Sequence, residues 1–268
     1  PTIGNRHVPR IQPISAPKSI LITGASSGIG DALARAYAEP GVSLALCARN
    51  GERLEAVAER CRESGASVDA EVLNVTDRER MAAWIARRDA ANPLDLVVAN
   101  AGISGGGGGG GGGEADDQAR AIFDINVTGM LNTITPASNA MRARRRGQIA
   151  VVSSVAGFRG LPTAPAYSAS KAAVLAYGDA LRVTLAADGL AVSVICPGFV
   201  ESRMTETNRF HMPFLMNADR AAAIIKRRLA KGQGRIVFPL PMHAGARLLQ
   251  LLPTALADAI LSRAPAKD

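Results

Sequence analysis

The sequence predicts an α/β protein, a doubly wound three-layer sandwich around a central parallel sheet of seven strands. Short β-prone runs alternate with helical patterns from Lys18 onward, and that alternation builds a parallel sheet through right-handed crossovers. Strands such as LVVA and AVSVIC are near-continuous apolar runs, which fits a sheet covered by helices on both faces. At 268 residues, 47% of them apolar, the chain can bury one large core. The expected organisation is an N-terminal extension over 1–17 and a single Rossmann-type domain over 18–268.

SILIT opens the sheet and runs into the turn TGASSGIG and the helical pattern DALARAYAE. SLALCA is the second strand, with ERLEAVAERCRES behind it, and SVDAEVLNV is the third, followed by DRERMAAWIARRDAA. LDLVVAN, QIAVVSS, AVSVICP and RIVFP complete the seven. The helical segments repeat apolar residues at three- and four-residue intervals, which a helix lying on one sheet face requires. Two segments stand outside this pattern. Residues 105–113 are all glycine; with no side chains to pack and a high entropy cost of ordering they read as a mobile loop beside the site, and no chemistry is assigned to them. The stretch from about 242 to 263, MHAGARLLQLLPTALADAILSR, is apolar on one side. It reads as packing within the fold or against another subunit, with peripheral docking on a membrane surface as the alternative.

Lys and Arg outnumber Asp and Glu by 31 to 23, a formal charge of +8, which admits phosphate-bearing ligands and anionic surfaces. No nucleic-acid-binding motif accompanies the charge, so no nucleic-acid partner is expected. Cys47, Cys61 and Cys196 are scattered without CxxC spacing and read as buried thiols of a reducing compartment; no residues are assigned to a metal. No apolar run reaches the roughly 18–20 residues of a membrane span, and the opening residues lack the apolar centre of a signal peptide. A soluble, cytoplasmic protein is the expectation.

TGASSGIG stands between a strand and a helix. There the backbone N–H groups and the helix N-terminus suit a pyrophosphate, and glycine lets it approach. The residues involved are Gly24, Ser26, Ser27, Gly28, Ile29 and Gly30. In YSASK, Tyr167 and Lys171 are i and i+4 and share a helix face. An ammonium beside a phenol is expected to lower the phenol's pKa, making tyrosine usable as a general acid or base.

The spacing TGxxxGxG, then ANAG from Ala99 to Gly102, Asn126, Ser154, YSASK, and PG at Pro197 and Gly198 together resemble the short-chain dehydrogenase/reductase family over residues from about 18 to 240. That resemblance implies a catalytic set of Ser154 holding the substrate oxygen, Tyr167 as acid/base, Lys171 lowering the tyrosine pKa while binding the nicotinamide ribose, and Asn126 supporting a water-linked proton relay. It implies cofactor contacts from Asn74 and Val75 to the adenine, from Asn100, Ala101 and Gly102 along the cofactor, and from Pro197, Gly198, Val200 and Ser202 near the nicotinamide. Ala99 stands where the family usually has a first asparagine, and Asn74 where it usually has an aspartate. At the end of the second strand the chain reads CARN: Ala48 takes the place of the acid of NAD-preferring members and Arg49 follows it. A guanidinium binds a 2'-phosphate, so NADP(H) is the preferred cofactor and NAD(H) a possible one.

The substrate lid is expected over about 199–217, where Phe199, Met204, Phe210, Met212, Phe214, Leu215 and Met216 suggest an apolar substrate. Phe158, Arg159 and Leu161 are further wall candidates, and His211, Arg203 or Arg209 could instead meet an anionic group. The leading function is hydride transfer between NADP(H) and a small-molecule carbonyl or secondary alcohol. The alternative is a non-catalytic NAD(P)-binding regulatory or scaffold protein. The resemblance also implies a homodimer or homotetramer built on the helices carrying Asn126 and Tyr167.

Overall fold

The computed structural model describes residues 11–105, 114–206 and 211–262. The first ten residues of the N-terminal extension, most of the glycine run, Arg209, Phe210 and the end of the C-terminal apolar stretch lie outside the described residues. The seven strands are β1 (Ser19–Thr23), β2 (Ser43–Ala48), β3 (Ser67–Val72), β4 (Leu96–Ala99), β5 (Gly147–Val152), β6 (Leu190–Pro197) and β7 (Arg235–Phe238). All pairings are parallel, in the order β3-β2-β1-β4-β5-β6-β7. β3 is shorter than SVDAEVLNV suggested. Its last ladder partner is Ala48, and past Leu73 the chain turns away as the Asn74 carboxamide accepts from the Thr76 N–H.

The helices are α1 (Gly28–Tyr37), α2 (Gly51–Glu63), α3 (Arg78–Ala91), α4 (Asp116–Phe123), α5 (Gly129–Ala143), α6 (Pro165–Ala186), α7 (Arg203–Glu206), α8 (Ala218–Ala230), α9 (Leu240–Leu251) and α10 (Thr254–Leu261). A π-turn over Asp124–Thr128 joins α4 to α5. Local sequence sets several starts: Asn50, Asp77 and Asn217 each accept a first-turn N–H of α2, α3 and α8, satisfying donors that have no partner within the helix.

Alternation along each strand divides the core. Ile20 and Ile22 face α1, α2 and α8 with Leu44, Leu46, Leu33 and Ile225, while Leu21 faces the layer of α3, α5 and α6 with Trp84, Ile134, Val174 and Leu185. Each such fully buried side chain contributes about 1.5–3 kcal/mol, and burial on both faces is why the inner strands read as near-continuous apolar runs, while β3, at the sheet edge, is only partly covered and carries Asp69 and Glu71. Cys47, Cys61 and Cys196 are free and buried. Among the described residues, no helix is long and apolar enough to cross a membrane. Leu240, Leu248, Leu251, Leu256 and Ile260 of α9 and α10 stay exposed.

Candidate active site

A parallel sheet brings every strand's carboxyl end to one edge, and at the reversal of strand order between β1 and β4 the adjacent loops part to leave a crevice. Here the crevice measures about 1210 Å³ and is lined by residues following β1 through β7. Because β2 and β3 flank β1 on one side and β5 to β7 flank β4 on the other, it has three zones. The glycine turn lies in the middle, Arg49 and Asn74 lie on one flank, and Ser154, Tyr167 and Lys171 lie on the other.

The glycine turn is held rather than free. Gly24 has φ +67°, and a Cβ there would meet the Ala101 Cα at 2.7 Å. Asn100 donates from Nδ2 to the carbonyls of Thr23 (2.9 Å) and Gly24 (3.1 Å), while the Thr23 hydroxyl oxygen accepts the N–H groups of Asn100 and Ala101, each at 3.1 Å. The Ala25 N–H reaches the Cys47 carbonyl. Gly24, Ser26, Ser27, Gly28 and Ile29 line the crevice. Gly30 stands behind it, where a Cβ would lie 2.3 Å from the Gly24 carbonyl oxygen, so it serves close packing of α1 on the turn. Across the crevice, Ser202 closes on Gly28, whose added Cβ would come within 2.9 Å of the Ser202 Cβ. This bare cradle of backbone fits a diphosphate approaching α1's N-terminus.

On the flank of β5 and β6, Ser154 follows β5 and caps a short 3-10 turn over Val155–Gly157: its Oγ accepts the Ala156 N–H at 3.1 Å and donates to the Pro197 carbonyl at 3.4 Å. Tyr167 and Lys171 lie on the first turns of α6, as the i, i+4 spacing required. Lys171 is 4% exposed; its Nζ donates to the Val152 carbonyl at 2.9 Å and sits 5.7 Å from the centroid of the Tyr167 ring. The Ser153 hydroxyl, beside Ser154, is engaged instead with the backbone of α6, donating to the Lys171 carbonyl at 2.6 Å. Burial pushes the Lys171 ammonium down to about 8. The phenol departs from the sequence expectation. Burial raises the Tyr167 pKa above its ordinary value, and the Ser154 hydroxyl pulls it part of the way back.

Asn126 does not line the crevice. It lies 1% exposed in the π-turn, where its Oδ1 accepts the Ile103 N–H (2.8 Å) and its Nδ2 donates to the Ile103 carbonyl (2.9 Å) and the Ser170 hydroxyl (3.0 Å). It braces the loop after β4 against α6, and a Cβ on Gly102 would touch both its Oδ1 (3.1 Å) and the Lys171 Nζ (3.3 Å).

Asn74 and Val75 line the other flank, and so does Arg49. The Asn74 Oδ1 already holds the Thr76 N–H at 3.2 Å and keeps its second lone pair for a ligand. Arg53, in the first turn of α2, joins Arg49 in the lining. Arg53 is not among the residues expected from sequence to meet the cofactor, although RNGER places the two arginines four apart. Among the described residues both are exposed and neither has an ion-pair partner.

Toward the opposite end, Ala101, Gly102, Pro197, Gly198, Val200 and Ser202 line the crevice as expected. The expected lid is divided by the structure. Phe199 and Met204 face the crevice with Arg203, His211 and Pro213, but Phe214 and Leu215 point to solvent and Met216 is buried beneath, paired through Val200. Arg159 and Leu161 line the wall. Phe158 does not: it is buried against His243, with the Arg247 and Arg235 guanidinium groups over its ring, and the Gln250 carboxamide donates to its carbonyl, so it anchors α9. In the lid's place α9 supplies Met242, Gly245, Ala246 and Leu249. Their i, i+3, i+4, i+7 spacing was visible in MHAGARLL, but nothing in sequence shows that this face turns to the crevice.

Comparison with known proteins gives this arrangement its context. The family model for short chain dehydrogenase matches residues 18–212. An uncharacterized oxidoreductase of Myxococcus xanthus is 39% identical over 92% of this chain and 97% of its own length. The granaticin polyketide synthase putative ketoacyl reductase 1 of Streptomyces violaceoruber is 38% identical over 71% of each. The solved short-chain dehydrogenase from Sphingobium yanoikuyae in complex with NADPH superposes with a TM-score of 0.76 at 25% identity, covering 93% of this chain and 97% of that one. The chain belongs to the short-chain dehydrogenase family and is an oxidoreductase of the CH-OH/C=O class.

Proposed function

We propose that this chain is an NADP(H)-dependent reductase of an apolar carbonyl compound, with Tyr167 as the general acid. The observation that carries the reading is the convergence of Ser154, Tyr167 and Lys171 on the crevice whose middle is the glycine cradle. A bound nicotinamide supplies the hydride. The chain's own residues do the rest. Ser154 and Tyr167 hold the substrate oxygen, and the phenol gives it a proton as the carbon takes the hydride. The burial-raised pKa keeps that phenol protonated at neutral pH, which suits the direction of reduction. Lys171, whose Nζ donates to the Val152 carbonyl, would hold the ribose of a bound nicotinamide nucleotide. Met242, Ala246 and Leu249 of α9, with Leu161, Phe199 and Met204, offer a largely apolar surface to the rest of the substrate.

The NADP preference rests on Ala48, Arg49 and Arg53: Ala48 stands where a carboxylate would repel a 2'-phosphate, and two guanidinium groups without ion-pair partners among the described residues line the crevice there. The Sphingobium relative is described with NADPH. The test is titration of the purified protein with NADPH and NADH by nicotinamide fluorescence, followed by a carbonyl panel at saturation. NADPH is expected to bind at least about 10-fold tighter, the equivalent of one charge-assisted hydrogen bond. Arg49→Asp is expected to invert the ratio. An unchanged ratio in that variant refutes the phosphate reading, and binding without turnover across the panel refutes the reductase in favour of a non-catalytic binding protein.

A further inference from the structure

Glu114 belongs to no motif, yet its carboxylate makes two hydrogen bonds to α6. Oε2 accepts the Ala166 N–H at 2.7 Å and Oε1 accepts the Tyr167 N–H at 3.1 Å. The first N–H groups of a helix have no partner inside it. Ala164, just ahead of Pro165, provides no side-chain cap for α6. The cap is supplied from 52 residues away by a half-buried carboxylate, whose charge also suits the positive end of the helix. Gly105 makes room for it: a Cβ there would lie 2.3 Å from the Glu114 Cγ.

We propose that Glu114 is a positioning residue for Tyr167, fixing the first turn of α6 and thereby the placement of the phenol beside Ser154. The proposal rests on the acid/base reading of Tyr167 given above. Glu114 acts through the backbone of the residue that carries the proton. In a hydrogen-bonded reacting geometry, a displacement of about 1 Å costs on the order of 100-fold in rate, so a cap joined to the Tyr167 amide has leverage on kcat that caps elsewhere in the chain lack.

The experiment compares wild type, Glu114→Gln and Glu114→Ala with a carbonyl that the wild type turns over. Glu114→Ala is expected to lower kcat by about 10- to 100-fold while NADPH affinity stays within about twofold. Glu114→Gln keeps one acceptor oxygen and is expected to fall between. A second readout needs no turnover: ultraviolet titration of the Tyr167 phenol, isolated by subtracting each protein's own Tyr167→Phe version. Removing a negative charge beside Tyr167 makes the phenolate easier to form, so the midpoint is expected to fall by about 0.2–0.7 pH unit. Gly105→Ala, which displaces the Glu114 side chain, is expected to reproduce both effects in the wild type and to add nothing to Glu114→Ala.

If Glu114→Ala lowers the melting temperature but leaves kcat and the phenol midpoint unmoved, Glu114 is a structural cap only and the proposal is overturned. Additive effects of Gly105→Ala and Glu114→Ala overturn it as well. Should the wild type reduce no carbonyl, the reductase reading fails separately, and the phenol titration with the Gly105 and Glu114 pair still decides this one.

Discussion

Replacing Lys171 with methionine removes a pH dependence of stability that the folded protein owes to one buried ammonium. Burial lowers the Lys171 pKa from 10.5 to about 8. Below pH 8 the side chain is protonated in both the folded and unfolded chain, and the cost of burying the charge is constant. Between pH 8 and the unfolded value only the unfolded chain keeps its proton, so stability rises with pH, by about 1.4 kcal/mol per unit. The full interval amounts to about 3 kcal/mol. Three buried thiols work in the opposite direction: Cys47 and Cys196 are pushed up to about 12 and Cys61 to about 11 by burial, so each withdraws stability as pH climbs above the ordinary thiol value of 9. The contributions of Cys47 and Cys61 are common to both proteins and cancel in their difference; Cys196 interacts electrostatically with Lys171, which lowers its pKa, so its contribution cancels only in part. Trp84, the single tryptophan, is 1% exposed and reports global unfolding by fluorescence. In urea titrations, the stability difference between wild type and Lys171→Met is expected to shift by about 2 kcal/mol in favour of wild type from about pH 8 to about pH 9.5. A difference that stays constant across that window means the ammonium keeps its ordinary pKa in the fold, and the burial argument fails.

Tyr167→Phe is expected to keep nucleotide affinity and lower kcat by roughly 100- to 10,000-fold, the range of a general acid; steady-state turnover beside a fluorescence titration checks both, and surviving turnover removes Tyr167 from the proton path. Gly24→Ala forces an L-residue into a left-handed conformation, costing about 1–2 kcal/mol, and sets a methyl 2.7 Å from a neighbouring Cα, which adds about 1–3 kcal/mol. A melting temperature lower by on the order of 10 °C is expected. An unchanged melting curve shows that the turn is not held by Asn100 and Ala101 as described.

The sheet was legible because helices on both of its faces leave apolar strands with little freedom to be anything else, and SILIT and SLALCA form β1 and β2 with the bounds read from sequence. β3 was overextended because LNV is as apolar and β-prone as the ladder before it; only the missing partner beyond Ala48 ends it. The glycine turn, Ser154, Tyr167 and Lys171 were legible because each is tied to a short local pattern. What sequence could not show was direction. Phe158 and Met242 are equally apolar, but one anchors α9 and the other faces the crevice, and that depends on how α9 docks across more than eighty residues of chain. The direction of the phenol's pKa was missed for a related reason: proximity to Lys171 could be read from i, i+4 spacing, while the burial that raises the pKa is a property of the assembled fold.

The Asn100 side chain binds the end of β1 from the end of β4, and the two strands meet where the first half of the chain joins the second. The glycine turn, Arg49 and Asn74 all belong to the first half; Ser154, Tyr167, Lys171 and α9 belong to the second. The crevice is thus an internal interface between two halves that cross-link through β1 on β4, α1 on α8 and α3 on α5. A ligand spanning it works as a clasp, so the hydrogen-exchange protection it confers should be greatest along this join, well away from the atoms that react.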